Sequence, residues 1–373
     1  MTSGDAVDFV HTGPGTVARN YLRRFWQPVY ESAKLAPGRA VQIRVMGENF
    51  TLYRGEEGRA HLVGPSCPHR KTQLSIGWIE EDSIRCFYHG WKFDQTGRCV
   101  DQPAEPKPFA HKVSIPSYPT DEQLGFVFAY LGTPPAPPLP RWPEFEALSN
   151  VSSIAMIPCN YFQSAENIVD DVHVGFVHAP TPQSGRTQSE RKPPIVSAEE
   201  TSHGIRMTYT KPDWVERSYY IMPNSHTVSY YLHYFVSTAR KGECRMHNLF
   251  WYVPIDDLSH NHVMITAGPP DVIKLMRDEQ ETPHDVAEDI MAVLAGNANW
   301  HKHTPGVRRR PDMVRIQDGV PIVSQGAIAD RRQERLGASD AGVILLRKLW
   351  TRELRNVASG NPITTFVRPP ELP

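Results

Sequence analysis

The sequence predicts an α+β protein in which a small all-β domain precedes a larger domain whose antiparallel sheet is covered by helices. Three observations predict this organisation. Short β-rich runs with turn residues between them fill residues 39–132. The proline-rich residues 133–145 have the composition of an extended linker. Beyond them, residues 146–373 contain a series of longer β-rich runs and then two helical patterns.

Residues 1–38 form an N-terminal helical segment, in which TVARNYLRRFWQPV predicts a short amphipathic helix that Pro28 stops. In the β domain, VQIRVMGENFTLYR predicts two strands that pair as a hairpin across Gly47-Glu48-Asn49. The turn residues that follow separate further short β-rich runs. These additional strands are SIRCFY, HGWKFD, GRCV and LGFVFAYLG.

In the larger domain, SSIAMIPCNYFQS predicts a strand and AENIVDDVHVGFVHA a helix that ends before Pro180. A multi-stranded antiparallel sheet is predicted by the next five β-rich runs. These runs are GIRMTYT, RSYYIMP, HTVSYYLHYFVST, CRMHNLFWYVPI and NHVMITAG. HDVAEDIMAVLAGNANW and SDAGVILLRKLWTRELRNV are predicted helices, and the second has its apolar residues at helical spacing.

Composition excludes several classes of protein. The 40 Lys and Arg residues against 41 Asp and Glu leave no basic excess for nucleic acid, and the run at 308–310 is expected to be solvated surface. No apolar stretch approaches the roughly 20 residues of a membrane-spanning helix. The N-terminal residues lack the basic leader and apolar core of a secretory signal, so a cytoplasmic location is expected. Five cysteines there indicate thiol or metal chemistry rather than disulfides.

Two pairs of metal-ligand residues stand out in the β domain: Cys67-x-His69 and, after sixteen residues, Cys86-x2-His89. Such a set can bind zinc or an iron–sulfur cluster. Zinc fingers usually group Cys with Cys and His with His, whereas here each pair supplies one of each. In a [2Fe–2S] cluster the thiolates bind one iron and the imidazoles the other, so this arrangement favours the cluster.

The flanking sequences SCPHRKTQLSIG and IRCFYHGWKFDQTGRCV resemble the two cluster-binding loops of Rieske proteins. Gly90 is expected to let the backbone approach the cluster, and Trp91 to shield it from solvent. The four ligand places are then filled. The other cysteines, Cys99, Cys159 and Cys244, are therefore expected to be small buried residues.

A second constellation is Asn167-x2-Asp170-x2-His173-x4-His178. On a continuous helix the two histidines would point about 140° apart, so they converge on one metal only if the helix ends or bulges between them. Two His and one carboxylate form the facial triad of Fe(II) oxygenases. The spacing alone does not choose the carboxylate among Asp285, Asp289, Asp312 and Asp318.

Over nearly its whole length the chain resembles the oxygenase α subunits of Rieske ring-hydroxylating enzymes, most of all the phthalate dioxygenase branch. The resemblance includes GPGTVARNYLRRFWQPV, both cluster loops, the second constellation and SQGAIADRRQERLGASD. It implies a Rieske domain at 39–132 and a helix-grip (START-like) catalytic domain at 146–373. It also implies that Asp318, seven residues before Gln325, is the third iron ligand, with Asp312 in reserve. Pro321 departs from the pattern, because proline is expected to kink or delay the helix.

The resemblance further implies a homotrimer in which the cluster of one subunit lies beside the mononuclear Fe(II) of its neighbour. Asp170 resembles the carboxylate that bridges the two centres, and Asn167 of the same motif joins it in the predicted catalytic set. No G-x-G-x-x-G opens a helix, so no nucleotide fingerprint is present. Electrons are therefore expected to come from NAD(P)H through a separate reductase that carries flavin and its own [2Fe–2S] centre.

The implied reaction is O2-dependent hydroxylation of a small aromatic compound, and a carboxylated substrate is one of the options. The first alternative is a monooxygenase or oxidative O- or N-demethylase, and the second is a Rieske electron carrier without oxygenase activity. A structural zinc protein is the third alternative. A carboxylated substrate needs a cation, for which Arg206, Arg217 and Arg245 are candidates, although surface positions are expected for them.

Overall fold

A computed structural model of the chain describes residues 7–178, 193–211, 214–231, 245–280, 285–298 and 313–370, together with residue 372. The chain divides into two compact units. One is Gly13–Arg141, and the other combines Met1–Thr12 with Trp142–Pro373.

The unit Gly13–Arg141 is built almost entirely from short antiparallel strands in three sheets. Its helix is α1 (Val17–Leu22). Its strands are β1 (Trp26–Glu31), β2 (Ala40–Val45), β3 (Glu48–Arg54), β4 (Ala60–Val63), β5 (Trp78–Glu80), β6 (Ser83–Arg85), β7 (Lys92–Phe93), β8 (Cys99–Asp101), β9 (Ser117–Tyr118), β10 (Thr120–Gln123) and β11 (Phe126–Tyr130). The sheet orders are β1-β11-β10, β2-β3-β4-β9 and β5-β6-β7-β8.

The N-terminal helix is shorter than the sequence predicts. α1 ends at Leu22, and the residues expected to extend it towards Pro28 form β1 instead. β1 is an edge strand that pairs with β11, and its register shifts between Pro28 and Tyr30. Proline is tolerated on an edge strand because no ladder hydrogen bond is needed from its nitrogen. Pairing with β11 therefore outweighs the local helical pattern.

The predicted β2–β3 hairpin is present, but its turn lies earlier than Gly47-Glu48-Asn49. Val45 pairs with Glu48, which leaves Met46 and Gly47 as the two central residues. Both have positive φ, at 51° and 73°. A two-residue turn with positive φ at both positions matches the twist of the flanking strands.

The second unit is a seven-stranded antiparallel sheet with helices, in the order β12-β18-β17-β16-β15-β14-β13. Its strands are β12 (Ser149–Ile157), β13 (Ile195–Thr201), β14 (Gly204–Lys211), β15 (Trp214–Ile221), β16 (Ser225–Tyr231), β17 (Arg245–Pro254) and β18 (His260–Gly268). Its helices are α2 (Pro143–Ala147), α3 (Tyr161–Asn167), α4 (Val174–Val177), α5 (Pro270–Gln280), α6 (Val286–Leu294), α7 (Met313–Ser324) and α8 (Ala341–Ala358). The predicted fold class, a β domain followed by an antiparallel-sheet domain, is confirmed.

Helices cover one face of this sheet. Ile157 of β12 packs with Ile290 of α6 and Ile316 of α7 in one buried cluster. At the other end of the sheet, α8 lies so close to β14 that a Cβ added to Gly342 would be 2.6 Å from Cε of Met207. Register places Ile157 and Met207 on the same face, because side chains alternate along each strand. Among the residues that the structure describes, no helix combines the length and apolar character needed to cross a lipid bilayer.

The single helix predicted at 165–179 is two short helices. Asn160 caps α3, because its side-chain oxygen accepts a hydrogen bond from the Phe162 backbone nitrogen at 3.1 Å. The preceding strand therefore stops at Ile157 and does not continue into NYFQS. α3 ends at Asn167, and a single turn, α4, follows. This break positions the second constellation.

Candidate metal centres

Two loops carry the four predicted cluster ligands: Cys67 and His69 lie between β4 and β5, and Cys86 and His89 between β6 and β7. Each loop is closed by a turn at its cysteine. The Lys71 nitrogen donates to the Cys67 carbonyl at 2.9 Å, and the Gly90 nitrogen to the Cys86 carbonyl at 3.0 Å. Gly90 has a φ of 74°, in the left-handed region that glycine adopts without strain.

The donor groups form a pair of thiols and a pair of imidazoles. The thiols of Cys67 and Cys86 lie within interaction distance, and the rings of His69 and His89 have centroids 4.4 Å apart. In the described part of the chain, no three of these donor atoms come within 4.8 Å of one another. One tetrahedral zinc needs all four ligands around one point, whereas a [2Fe–2S] cluster separates the two pairs. The geometry fits the cluster better than zinc.

Burial raises the pKa of the Cys67 thiol to about 12. A free thiol there stays protonated at neutral pH, and only bound metal would keep it as thiolate. The ring of His69 stacks on Trp91, with centroids 4.7 Å apart and an interplanar angle of 4°. Trp91 is itself buried, so it holds this imidazole against the interior of the loop pair.

Sequence reasoning missed Arg85, which braces the second loop. Its guanidinium donates to the Gly90 carbonyl at 2.6 Å and to the Asp101 carboxylate at 2.8 Å. A further pair of hydrogen bonds, at 2.7 and 2.9 Å, joins it to Glu80. The available signal was a cation placed directly before Cys86 in a predicted strand, but such a residue is normally surface. Arg85 ties two further chain segments, at Glu80 and Asp101, to the ligand loop.

The second constellation brings together His173, His178 and Asp318. His173 and His178 flank the single turn of α4, and Asp318 lies on α7. Nε2 of His173 is 3.3 Å from Oδ1 of Asp318, and Nε2 of His178 is 3.0 Å from the same oxygen. One donor atom of each residue lies within 4.8 Å of the others, the only such group of three among the described residues. The predicted helix break therefore allows the two imidazoles to converge.

The charges of this triad are coupled. Burial acts to raise the pKa of the Asp318 carboxyl, but the nearby charges of His178 and His173 outweigh it and hold that pKa well below its usual range. Burial acts to lower the pKa of His173, and Asp318 raises it instead, to about 9. Asp318 Oδ1 nevertheless makes no hydrogen bond of good geometry in the described part of the chain. The donor atoms thus converge on a point rather than satisfying one another, as metal ligands do.

A hydrogen bond orients the His178 imidazole, and a carboxylate lies beside the His173 imidazole at ion-pair distance. Nδ1 of His178 lies 2.9 Å from Oε1 of Gln317, a residue that sequence reasoning missed. Oδ2 of Asp170 lies 3.8 Å from Nδ1 of His173, and its Oδ1 accepts a hydrogen bond from the Val172 nitrogen at 3.1 Å. Partners of this kind fix which ring nitrogen faces the metal.

Asn167 and the remaining candidates lie apart from this group. Asn167 ends α3, where its carbonyl accepts from the Asp170 nitrogen at 3.1 Å. Asp285 caps α6 through the Ala287 and Glu288 nitrogens. Asp289 lies within α6 and is absent from the triad, whereas the reserve candidate Asp312 lies outside the described residues.

The structure also tests the predictions for Pro321 and for the remaining cysteines. α7 continues through Pro321 to Ser324, so this proline does not delay the helix that carries Asp318. Cys99 and Cys159 are free and buried, as expected, and Cys244 lies outside the described residues, as do 308–310 and Pro180.

Comparison with known proteins gives the following matches. Residues 25–119 match the Rieske [2Fe-2S] domain family. The chain is 29% identical to the 5,5'-dehydrodivanillate O-demethylase oxygenase subunit of Sphingobium sp. (strain NBRC 103272 / SYK-6), over 100% of this chain and 85% of that protein. It is 28% identical to the phthalate 4,5-dioxygenase oxygenase subunit of Pseudomonas putida, over 91% and 83% of the two chains.

Among solved structures, the fold is similar to a fluorene-bound oxygenase in the oxygenase–ferredoxin complex of carbazole 1,9a-dioxygenase. The TM-score is 0.64 at 20% identity, over 91% of this chain and 93% of that one. The domain match, the two relatives and the shared fold agree with the geometry of the two ligand loops. The chain thus contains a Rieske [2Fe-2S] domain, and over nearly its whole length it is similar to proteins named as oxygenase subunits.

Proposed function

We propose that this chain is the terminal oxygenase of a multicomponent system that hydroxylates a small aromatic compound. Its cluster ligands are Cys67, His69, Cys86 and His89, and its mononuclear iron ligands are His173, His178 and Asp318. The observation that carries the proposal is that two Nε2 atoms lie 3.3 and 3.0 Å from one carboxylate oxygen, in a chain that also has a Rieske domain.

The donor set suits ferrous iron. Two imidazoles and one carboxylate on one face leave coordination positions open, which distinguishes an oxygenase site from a closed structural zinc site. When bound, the cluster supplies single electrons and the iron supplies O2 activation next to the substrate. The side chains of all three ligands are at most 17% exposed, so the protein excludes most water from the position where this chemistry occurs.

The protein residues around the triad orient it. Gln317 accepts a hydrogen bond from Nδ1 of His178, which leaves Nε2 as the free ligand atom. The Asp170 carboxylate lies 3.8 Å from Nδ1 of His173, within ion-pair distance but too far for a hydrogen bond, and in our proposal it also reaches a cluster histidine of a second copy. Asn167 fixes the start of the Asp170 turn through its carbonyl. Asp170 and Asn167 are thus positioning residues.

Exposed apolar side chains around the cluster loops support a homotrimer. Trp78 and Phe87 are 50% and 56% exposed, with ring centroids 5.2 Å apart, and Tyr88 is 54% exposed beside His89. A contiguous apolar patch of this kind usually marks an interface. In the proposed assembly a second copy covers this patch, which brings its mononuclear iron beside His69 and His89.

Electrons reach the cluster from a separate protein in this proposal. The relatives are named as oxygenase subunits, and the chain has no nucleotide-binding fingerprint among its motifs. We therefore assign the use of NAD(P)H to a reductase with flavin and its own [2Fe–2S] centre. A cytoplasmic location fits the four described cysteines, which are all free.

The chemical outcome separates two versions of the function. One relative that matches over most of its length is named as a dioxygenase subunit, and another is named as an O-demethylase subunit. We therefore consider dihydroxylation of an arene and oxidative removal of a methyl group. Product analysis after turnover in isotopically labelled dioxygen decides between them, because a dihydrodiol carries two labelled oxygens and a demethylated phenol does not. An electron carrier without oxygenase activity would form neither product, and that result would overturn the proposal.

A further inference from the structure

The helix-covered face of the seven-stranded sheet carries a group of polar side chains that are buried or, in the case of Asn248, half-buried. They lie on the neighbouring strands β16, β17 and β18, and they are His226, Asn248, His262 and Thr266. Neither ring nitrogen of His226 has a hydrogen-bond partner among the described residues. The same holds for Oδ1 of Asn248, Nε2 of His262 and Oγ1 of Thr266. Buried polar atoms without partners are rare in folded proteins, so a group of them requires an explanation.

Two of these side chains, His226 and His262, flank one aromatic ring. Phe250 lies opposite His226 in the ladder, with ring centroids 6.0 Å apart, and its ring is 5.5 Å from that of His262. Asn248 precedes Phe250 by two residues on the same face and pairs with Thr266. An apolar surface edged by a few convergent polar groups is the usual composition of a small-molecule site.

One member of the group, His262, is electrostatically coupled to the proposed iron site. The Asp318 charge acts on the pKa of His262, and both residues belong to the layer between the sheet and α7. α7 itself contacts this face of the sheet, because Arg315 donates to the Ser153 hydroxyl at 3.0 Å. His226 and Phe250 extend the same face away from His262.

The imidazoles offer uncharged hydrogen bonds. Burial lowers the pKa of His226 to about 3 and holds that of His262 well below its usual value, so both are neutral at pH 7. A neutral imidazole has one donor and one acceptor nitrogen, and the Asn248 oxygen is a further acceptor. A hydroxyl group both donates and accepts, so it matches this set. A carboxylate only accepts, so it matches the acceptor atoms of this set less well than a hydroxyl group, and the buried charges that act on His262 include the cation Arg315 as well as Asp318.

The arginines considered as carboxylate partners lie elsewhere. Arg206 forms an ion pair with Glu199, and about half of each of the two side chains is exposed. Arg217 and Arg245 are exposed as well. These three side chains therefore do not place a cation beside Phe250.

We propose that His226, Asn248 and His262 bind the hydroxyl-bearing edge of an aromatic substrate whose ring lies against Phe250. This inference rests on the proposed oxygenase function and specifies its substrate class as a phenol. His226 is then a specificity-determining residue. It discriminates because the analogue that lacks the hydroxyl leaves its nitrogens unpaired.

Calorimetric binding of guaiacol, anisole and benzoate to the oxidised holoenzyme tests the proposal. Guaiacol and anisole differ by one hydroxyl, and we expect guaiacol to bind about tenfold more tightly, the effect of roughly one buried hydrogen bond. His226→Phe keeps the ring shape and removes both nitrogens. We expect it to reduce the preference to about twofold or less, without lowering the melting temperature of the unliganded enzyme, because it removes two unpartnered buried atoms.

His203→Phe is the matched control. His203 is also buried, and its Nε2 atom has no hydrogen-bond partner among the described residues, but it lies in the turn between β13 and β14. This variant should keep the wild-type preference. Equal binding of guaiacol and anisole by wild type, an undiminished preference in His226→Phe, tightest binding of benzoate, or no binding of any probe would each overturn the proposal.

Binding is measured without turnover, so the result separates the two levels of inference. A holoenzyme that oxidises aromatic compounds but shows no hydroxyl preference would contradict the substrate class alone. A hydroxyl preference in a protein without mononuclear iron would contradict the oxygenase function and leave the phenol site in place.

Discussion

Asp170 is the residue on which communication between the two centres depends in this account. Its carboxylate lies 3.8 Å from Nδ1 of His173, on the side of the ring opposite the iron-binding nitrogen. Burial raises the pKa of this carboxyl, and the neighbouring His173 opposes the effect. A carboxylate in this position can fix the ring without being a ligand itself.

Asp170→Asn should leave both metals bound and slow the transfer of electrons between them. Loss of a residue that orients a metal ligand typically costs about 10–100-fold in activity. The measurement is the rate at which the reduced cluster is reoxidised in a single turnover, with iron content determined in parallel. Asp171→Asn removes a neighbouring carboxylate and should have a smaller effect. Wild-type reoxidation in Asp170→Asn would contradict the bridging role.

At the scale of elements, His260 joins the start of β18 to the segment that leads into α3. The ring is fully buried, with Nδ1 2.8 Å from the Cys159 carbonyl and Nε2 2.8 Å from the Ser164 hydroxyl. Burial lowers the pKa of His260 to about 4, so the fold holds it neutral. This connection supports the chain just before the Asp170 turn.

Acid should weaken that connection. Above the unfolded pKa of about 6.5, both states are neutral at this ring and the full stability is present. As pH falls from about 6.5 towards 4, only the unfolded chain takes up the proton, so stability falls by about 1.4 kcal/mol per pH unit for this group. Urea unfolding at pH 7 and pH 5 measures the loss. His260→Gln should reduce the pH dependence, the exposed His111→Gln should not, and equal slopes in all three proteins would contradict the argument.

Close contact between α6 and α7 sets the position of Asp318. Gly319 follows it directly, and a Cβ added there would lie 2.2 Å from Cδ1 of Ile290. Gly319→Ala should therefore destabilise the fold by about 1–3 kcal/mol and weaken iron binding, because α7 must shift. Denaturant unfolding and iron content are the measurements. Ile290→Ala in the same chain should restore part of the iron, and an unchanged iron content in Gly319→Ala alone would contradict this role of the contact.

How far the sequence predicts these elements depends on the distance between the residues involved. The cluster ligands lie within two short loops, so their spacing and the flanking residues were sufficient to predict them. His178 and Asp318 are 140 residues apart, and spacing alone left four aspartates open. Gln317 and Arg85 act only through tertiary contacts that no local pattern shows. The shortened α1 has the same cause, because pairing of β1 with β11 overrides a helical pattern.

For the whole molecule, the proposed trimer makes the complete electron path a property of the assembly. The predicted boundaries at 39–132 and 146–373 remain predictions of separate domains within each subunit. The exposed apolar side chains around the cluster loops are Trp78, Phe87 and Tyr88, and a second copy of the chain would bury them.

Mixed assemblies test this arrangement. Cys86→Ala should lack the cluster, and Asp318→Asn should lack the mononuclear iron, so each alone is inactive. Co-expressed chains should recover a fraction of the wild-type oxygen consumption, because an intact cluster can lie beside an intact iron site in the neighbouring subunit. Light scattering should give the mass of three chains. Absence of any recovery in assemblies of that mass would contradict electron transfer between subunits.

The iron content of purified Asp318→Asn tests the central claim most directly. Wild type should hold about three iron atoms per chain, two in the cluster and one at the triad. Asp318→Asn should hold about two, with an unchanged visible spectrum of the cluster, and Asp289→Asn should hold about three. An Asp318→Asn protein that retains about three, or a fully loaded wild type that holds only two, would contradict the claim that this chain carries a mononuclear iron at His173, His178 and Asp318.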